Sequence, residues 1–161
     1  MDVTGPVFTF LTQSEWARRS GEEGLLDFVV GNPQEMPLPG FVAALEKHAQ
    51  PQNRLWFGYK NSEPASQAIV AKSLQEWRGV AFEADDIYMT NGGFAAISVA
   101  LTAVVDPGDE VIFISPPWFF YEALIISAGG VPVRVKVNPT TFDLDLDALG
   151  SAITTKTRAI I

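Results

Sequence analysis

Two adjacent glycines are the residues of this sequence whose position most directly suggests a chemical role. Gly92 and Gly93 separate an apolar run of strand type, residues 87–90, from residues 94–105, which have the pattern of a helix. A strand that turns directly into a helix presents unpaired backbone N–H groups at the positive end of the helix dipole, and this terminus favours an anion such as phosphate. Glycines also make ordinary tight turns. A phosphate site and a plain turn are therefore both open interpretations.

A second loop adds an aromatic surface. Residues 111–114 form a continuous apolar run and are followed by Ser115, Pro116, Pro117 and Trp118. Ligands of open parallel sheets bind beyond the carboxyl ends of the strands, where both loops are predicted to lie. A phosphate socket beside a large aromatic ring suits a flat phosphorylated cofactor. The alternative is that Trp118 only packs in a core or an interface.

A dinucleotide is the main competing cofactor, and the spacing disfavours it. Its fingerprint needs a third glycine and an acidic residue at the end of the next strand. Here no third glycine follows Gly93, and the next strand ends at Ile114 and Ser115. Glu110 stands at the start of that strand, at the wrong edge of the sheet. NAD and FAD are therefore not predicted.

Composition excludes several other classes of function. The 161 residues carry a net charge of −8 without a Lys/Arg cluster, so a nucleic-acid surface is not predicted. There is no cysteine, and the only histidine, His48, lies near the end of a predicted helix, so no metal site is expected. No signal peptide is visible, and the longest apolar run is too short to cross a membrane. We expect a cytoplasmic protein without a membrane partner.

Periodicity predicts alternating strands and helices after residue 87. The sequence predicts an α/β fold of α-β-α layers around a mostly parallel sheet. The helix at 94–105 is apolar almost all round, so burial on more than one side is expected. Predicted strands are 25–30, 87–90, 111–114, 131–137 and 158–161; predicted helices are 14–19 with Ser14 as N-cap, 40–49, 65–78, 94–105, 119–128 and 145–153.

The order of these features resembles a known family. From residue 26 to residue 161 the chain is similar to the N-terminal part of class I/II, fold-type I, pyridoxal-phosphate-dependent aminotransferases. The resemblance implies a partial large domain of the fold-type I fold, with residues 1–50 as arm and small-domain segment and 51–161 as the incomplete cofactor-binding domain. The matching features, in order, are Gly31-Asn32-Pro33, Tyr59, Thr90-Asn91-Gly92-Gly93, Asp106-Pro107-Gly108-Asp109-Glu110-Val111, the Pro-x-aromatic loop ending in Tyr121, and Gly129-Gly130.

The resemblance also implies roles for cofactor-binding residues. Backbone N–H groups of Gly93 and Phe94 would hold the phosphate of pyridoxal 5'-phosphate. Gly92 stands where many members carry a small or hydroxyl residue, so a side-chain contact to the phosphate is lost there. Trp118 would stack on the pyridine ring. Phe119, Phe120 and Tyr121 are expected to pack in the core or against their helix.

Two further roles involve the substrate and a second subunit. Gly31 would lie near the substrate carboxylate, although it can equally be a turn glycine. Tyr59 would reach the phosphate held by the other subunit, because members of the family are homodimers with shared sites. The alternative for Tyr59 is simple packing within the aromatic segment 56–59.

The resemblance places the catalytic groups elsewhere. In the family a lysine in a Ser-x-x-Lys context forms the Schiff base with the cofactor, and no lysine of this chain has that context. We expect no catalytic residue here, a catalytic lysine further along, and a truncated chain that is inactive alone. The parent would exchange an amino group between an amino acid and a 2-oxo acid. Alternatives are a decarboxylase, lyase or synthase of the same fold, or a non-catalytic dimerising fragment. The lysines are Lys47, Lys60, Lys72, Lys136 and Lys156.

Overall fold

The computed structural model describes residues 4–29, 31–33 and 35–161, and its residues fall into two compact units. One unit contains the described residues up to Ser20 together with Thr90–Ile161, and the other is Gly21–Met89. The elements are α1 (Gly5–Gln13), α2 (Glu15–Arg19), α3 (Pro39–Ala49), α4 (Pro64–Arg78), a 3₁₀ turn (Ala84–Asp86), α5 (Gly92–Val104), β1 (Glu110–Ser115), α6 (Tyr121–Ser127), β2 (Val131–Lys136), α7 (Leu146–Ala152) and β3 (Thr157–Ile160).

The first unit is built on a parallel sheet. In the described chain this sheet has three strands in the order β2-β1-β3, with Ile112 opposite Val133 on one side and Ile160 on the other. The central strand is covered, since Val111 and Ile112 are completely buried, and Val111 packs in the core cluster with residues of α5 and α6. The prediction of a parallel sheet with a buried strand at 111–114 is therefore confirmed, as are the strands at 131–137 and 158–161 within a residue or two.

The core lies where β1 meets α6 and the end of α5. Phe113 is 1% exposed and packs with Ile125 of α6 and Leu101 of α5. The rest of α5 is more open, since Val99 is 59% exposed. The prediction that this helix is buried on more than one side is therefore wrong for the described chain, because only the face that carries Leu101 meets the core.

Gly130, the last residue before β2, lies at a point that has no room for a side chain. A Cβ there would lie 3.0 Å from Val105 Cγ1 and 3.1 Å from Ile125 Cγ2. We expect Gly130→Ala to lower the free energy of unfolding by about 1 kcal/mol, because both neighbours are buried and give way poorly. Gly150→Ala is the control for an added Cβ that meets nothing within 4 Å, and because Gly150 lies inside α7 we expect alanine there to raise the free energy of unfolding by about 0.5–1 kcal/mol. Chemical denaturation compares each variant with the unsubstituted protein; a Gly130→Ala variant as stable as the unsubstituted protein would contradict the packing argument.

An exposed ion pair ties β3 to the turn before β1. Arg158 Nε donates a hydrogen bond to Asp109 Oδ2 at 2.9 Å. This bond, with the backbone N–H of the Asp106 turn, holds the pKa of Asp109 below its ordinary value. The contact fixes the amino-terminal end of the sheet, opposite the edge where β1 runs into the Trp118 loop.

Three helices of the N-terminal half were predicted from the sequence, whereas α1 (Gly5–Gln13) was not. Ser14 accepts a hydrogen bond from the Ala17 N–H at 3.1 Å and caps α2, as predicted. The helices predicted at 40–49 and 65–78 are confirmed as α3 and α4, and Gly79 ends α4 with φ +69°. This conformation is the usual glycine ending of a helix.

Two predicted strands are wrong, and one helix begins two residues later than predicted. Residues 25–29 form no strand, and residue 30, the end of that prediction, lies outside the described residues. Residues 87–90 also pair with no described strand; instead the carbonyl of Ile87 accepts a hydrogen bond from Gln67 Nε2 at 2.7 Å. The helix predicted from residue 119 starts at Tyr121, whose N–H first closes a turn onto the Trp118 carbonyl at 3.1 Å.

None of the helices in the described ranges combines the length and apolar character that a membrane span requires.

Candidate functional site

The glycine turn that precedes α5 is held by two local hydrogen bonds. Gly92 has φ +86°, a conformation that side-chain-bearing residues rarely adopt. Its N–H donates to the Thr90 carbonyl at 2.8 Å, and Thr90 Oγ1 donates to the Gly92 carbonyl at 3.0 Å. The chain therefore reverses sharply at Gly92 and enters α5 in a defined direction.

The turn leaves the N-terminus of α5 open. Gly93 and Phe94 lie in the first turn, where N–H groups have no carbonyl of the same helix to bond. Asn91, the N-cap residue, makes no capping side-chain bond in the described structure, and the first turn contains no acidic residue. A Cβ added to Gly92 or Gly93 would meet nothing within 4 Å. This end has a positive partial charge, free donors and open space, which together suit an anion.

Trp118 lies beside this turn. It follows β1 in the predicted loop, and its ring centroid is 5.7 Å from that of Phe94, at an interplanar angle of 82°. The side chain is 36% exposed, so part of the ring remains accessible. The structure thus brings together the two loops that the sequence placed at the carboxyl edge of the sheet.

The neighbours of Trp118 form an aromatic cluster. Phe120 lies 5.3 Å and Tyr121 5.4 Å from its centroid, both nearly perpendicular, and Phe119 lies 6.0 Å away at a tilt of 45°. Phe120 and Tyr121 also pack against the hydrophobic core, whereas Phe119 is 45% exposed. Sequence reasoning gave Phe94 a role only through its N–H. Its ring contact with Trp118 joins segments that are distant in sequence, and no local pattern signals it.

Tyr59 and Gly31 belong to the other unit. The Tyr59 side chain is fully exposed, and a Cβ at Gly31 would meet nothing within 4 Å. Neither residue is used in the packing of its own unit, and the roles assigned to them by resemblance stay predictions.

The described lysines make no bond with the glycine turn or with Trp118. Among the described lysines, Lys60 pairs with Glu63 and lies 4.8 Å over the Trp56 ring, and Lys72 pairs with Glu76. In the described ranges no lysine makes a hydrogen bond, ion pair or ring contact with the glycine turn or Trp118, and no cluster of His, Asp and Glu could hold a metal ion. The arrangement can hold an anion and orient a flat ring.

Curated proteins with similar sequences are aminotransferases. The chain is 34% identical over 148 residues to a probable aspartate aminotransferase of Streptomyces griseus, covering 90% of this chain and 68% of that protein. It is 33% identical over 148 residues to an aspartate aminotransferase of Streptomyces avermitilis, covering 90% of this chain and 36% of that protein. The chain thus spans little more than a third of the second relative.

Solved structures agree with the sequence comparison. An aminotransferase from Eubacterium rectale superposes with a TM-score of 0.77 at 30% identity, covering 89% of this chain and 38% of that one. A variant of Thermus thermophilus aspartate aminotransferase gives a TM-score of 0.71 at 28% identity, covering 81% and 36%. These neighbours are fold-type I aminotransferases, so the three-stranded sheet with its helices is part of that fold. The family model described as aminotransferase class I and II matches residues 23–161, and the chain therefore belongs to this family.

Proposed function

We propose that the protein containing this chain transfers an amino group between an amino acid and a 2-oxo acid, with pyridoxal 5'-phosphate as cofactor. The observation that carries the proposal is the open N-terminus of α5 beside the partly exposed ring of Trp118, in a chain of the aminotransferase family. Members of this family generally depend on this cofactor. The chain would supply the phosphate and ring contacts of the cofactor site.

The residues fit the shape and charge of this cofactor. Its phosphate suits the free N–H groups of Gly93 and Phe94, and its flat ring suits the accessible part of Trp118. Gly92 adds no hydroxyl, so backbone donors and the helix dipole would hold the phosphate. When bound, the cofactor supplies an electron sink for the carbon that carries the amino group. The role of this chain is to bind and orient the cofactor.

The remaining predicted roles complete the proposal. We place Gly31 near the substrate carboxylate and Tyr59 on the phosphate of a cofactor bound by a second copy, in a cytoplasmic homodimer with shared sites. The full exposure of Tyr59 within its unit supports a contact outside that unit. We also keep the division at residue 50 between an arm with small-domain segment and the cofactor-binding domain. No lysine of this chain is proposed as the covalent anchor.

Amino transfer by the whole protein tests the proposal. The protein is supplied with pyridoxal 5'-phosphate, an amino acid carrying a ¹⁵N amino group, and an unlabelled 2-oxo acid. Aspartate is the first donor to use, because two Streptomyces relatives are named for it. We expect the label to appear in the amino acid formed from the 2-oxo acid, as measured by mass spectrometry. Loss of carbon dioxide or an elimination product without label transfer would contradict it and favour another reaction of the fold.

A further inference from the structure

The side chain of Phe94 occupies a position that the sequence did not mark. Its backbone N–H lies in the first turn of α5, where we place the phosphate, and the residue as a whole is 48% exposed. The turn before it is fixed by the hydrogen bonds between Thr90 and Gly92. The direction in which the Phe94 ring leaves the helix is therefore set by the same turn that presents the N–H groups.

Three rings are mutually perpendicular at this point. Phe94 meets Trp118 at 5.7 Å and Phe120 at 5.4 Å, both at 82°, and Trp118 meets Phe120 at 5.3 Å and 73°. Edge-on geometry is one of the two favoured arrangements of aromatic pairs, beside offset stacking. A ring held edge-on by two neighbours that also hold each other has little freedom to tilt. The orientation of Trp118 is thus defined by both Phe94 and Phe120.

Phe94 differs from the other neighbours of Trp118 in its origin. Among the described rings that contact Trp118, those of Phe119, Phe120 and Tyr121 follow it directly in the chain, and only Phe94 comes from α5. The Phe94 ring is therefore the aromatic link between the glycine turn and the Trp118 loop.

We propose that Phe94 is a positioning residue whose ring sets the tilt of Trp118 relative to the phosphate-binding turn, so that Trp118 and the turn bind the same cofactor molecule. This inference rests on the proposed function, and it adds a role for a side chain that has no expected contact with the phosphate. Phe94 would act through Trp118, and its substitution would weaken binding of the ring part of the cofactor.

The test is a double-mutant cycle on the apo form of the whole protein. Affinity is measured for pyridoxal 5'-phosphate and for pyridoxal, which lacks the phosphate, in Phe94→Leu, Trp118→Ala and the double variant. We expect Phe94→Leu to weaken the binding of both ligands by about threefold to tenfold, which corresponds to the free energy of one edge-on aromatic pair. In a protein that already carries Trp118→Ala, Phe94→Leu should cause no further loss of affinity. Phe94→Tyr, which keeps the ring, should restore affinity.

Several outcomes would overturn the inference. An equal loss from Phe94→Leu with and without Trp118 would mean that Phe94 acts independently, and a loss confined to pyridoxal 5'-phosphate would mean that it acts on the turn. Unchanged affinity in Trp118→Ala alone would instead refute the proposed cofactor site, and the inference with it. Phe142→Leu is the matched control, since Phe142 is 70% exposed and has no ring contact in the described structure. If Phe94→Leu does not fold, Phe94→Met serves in the same cycle.

Discussion

Replacing Gly93 with proline is expected to weaken binding of pyridoxal 5'-phosphate to the whole protein by about tenfold to a hundredfold. This factor corresponds to the free energy of one hydrogen bond to a charged group. Proline is tolerated in the first turn of a helix, so the substitution removes the N–H while α5 keeps its start. The Cβ of the new residue has room, because a Cβ added at Gly93 meets nothing within 4 Å outside its chain neighbours. Equilibrium dialysis of the apo protein measures the effect.

Gly93→Ala is the matched control for this prediction. It adds a Cβ at the same position and keeps the N–H, so it isolates the loss of the donor from the added bulk. We expect alanine to bind the cofactor much more tightly than proline does. Affinity for pyridoxal should be nearly the same in both variants, because this ligand has no phosphate to bond. Equal binding of pyridoxal 5'-phosphate by the two variants would show that the Gly93 N–H holds no phosphate.

Trp118→Ala is expected to weaken binding of pyridoxal 5'-phosphate by about tenfold or more, comparable to the loss of one aromatic stacking contact. The indole is the accessible ring beside the open end of α5, at 36% exposure. Because its contact is with the cofactor ring, affinity for pyridoxal should fall by a similar factor. The same dialysis experiment, made with both ligands, measures this.

Trp118→Phe keeps an aromatic face and is the control. It should retain most of the affinity, whereas a role limited to packing predicts that phenylalanine and alanine differ only in the temperature of unfolding. If Trp118→Ala binds both ligands as the unsubstituted protein does, Trp118 does not stack on the cofactor.

Elements whose partners lie nearby in sequence were predictable. The apolar run 111–114 and the alternation at 131–137 identify β1 and β2, which pair across a single crossover helix. Residues 87–90 have the same strand composition but find no strand partner in the described chain. Strand formation depends on a neighbouring strand, which composition does not reveal. An apolar run therefore predicted the strand at 111–114 correctly and the strand at 87–90 wrongly. The burial of α5 was overestimated for a similar reason: its apolar composition does not reveal that only the face carrying Leu101 meets a neighbour in the described chain.

Topology predicted the position of the glycine turn only in part. Strand ends in a parallel sheet share an edge, and this rule predicts that the glycine turn lies near Trp118. The turn does lie beside Trp118, but residues 87–90 form no strand in the described chain, so the rule does not account for its position there. The Phe94 contact was not predictable, because it depends on the direction of one side chain at the start of α5. The roles of Gly31 and Tyr59 depend on a substrate and a second subunit, and they remain proposals.

The central claim is that the turn at Gly92 and Gly93 holds a cofactor phosphate while Trp118 holds the cofactor ring. The most direct test is the ratio of affinities for pyridoxal 5'-phosphate and pyridoxal, measured in the unsubstituted protein, in Gly93→Pro and in Trp118→Ala. We predict that Gly93→Pro reduces this ratio by about tenfold or more, since one phosphate bond is lost, and that Trp118→Ala leaves it unchanged while weakening both ligands. A ratio that is the same in all three proteins would contradict the claim.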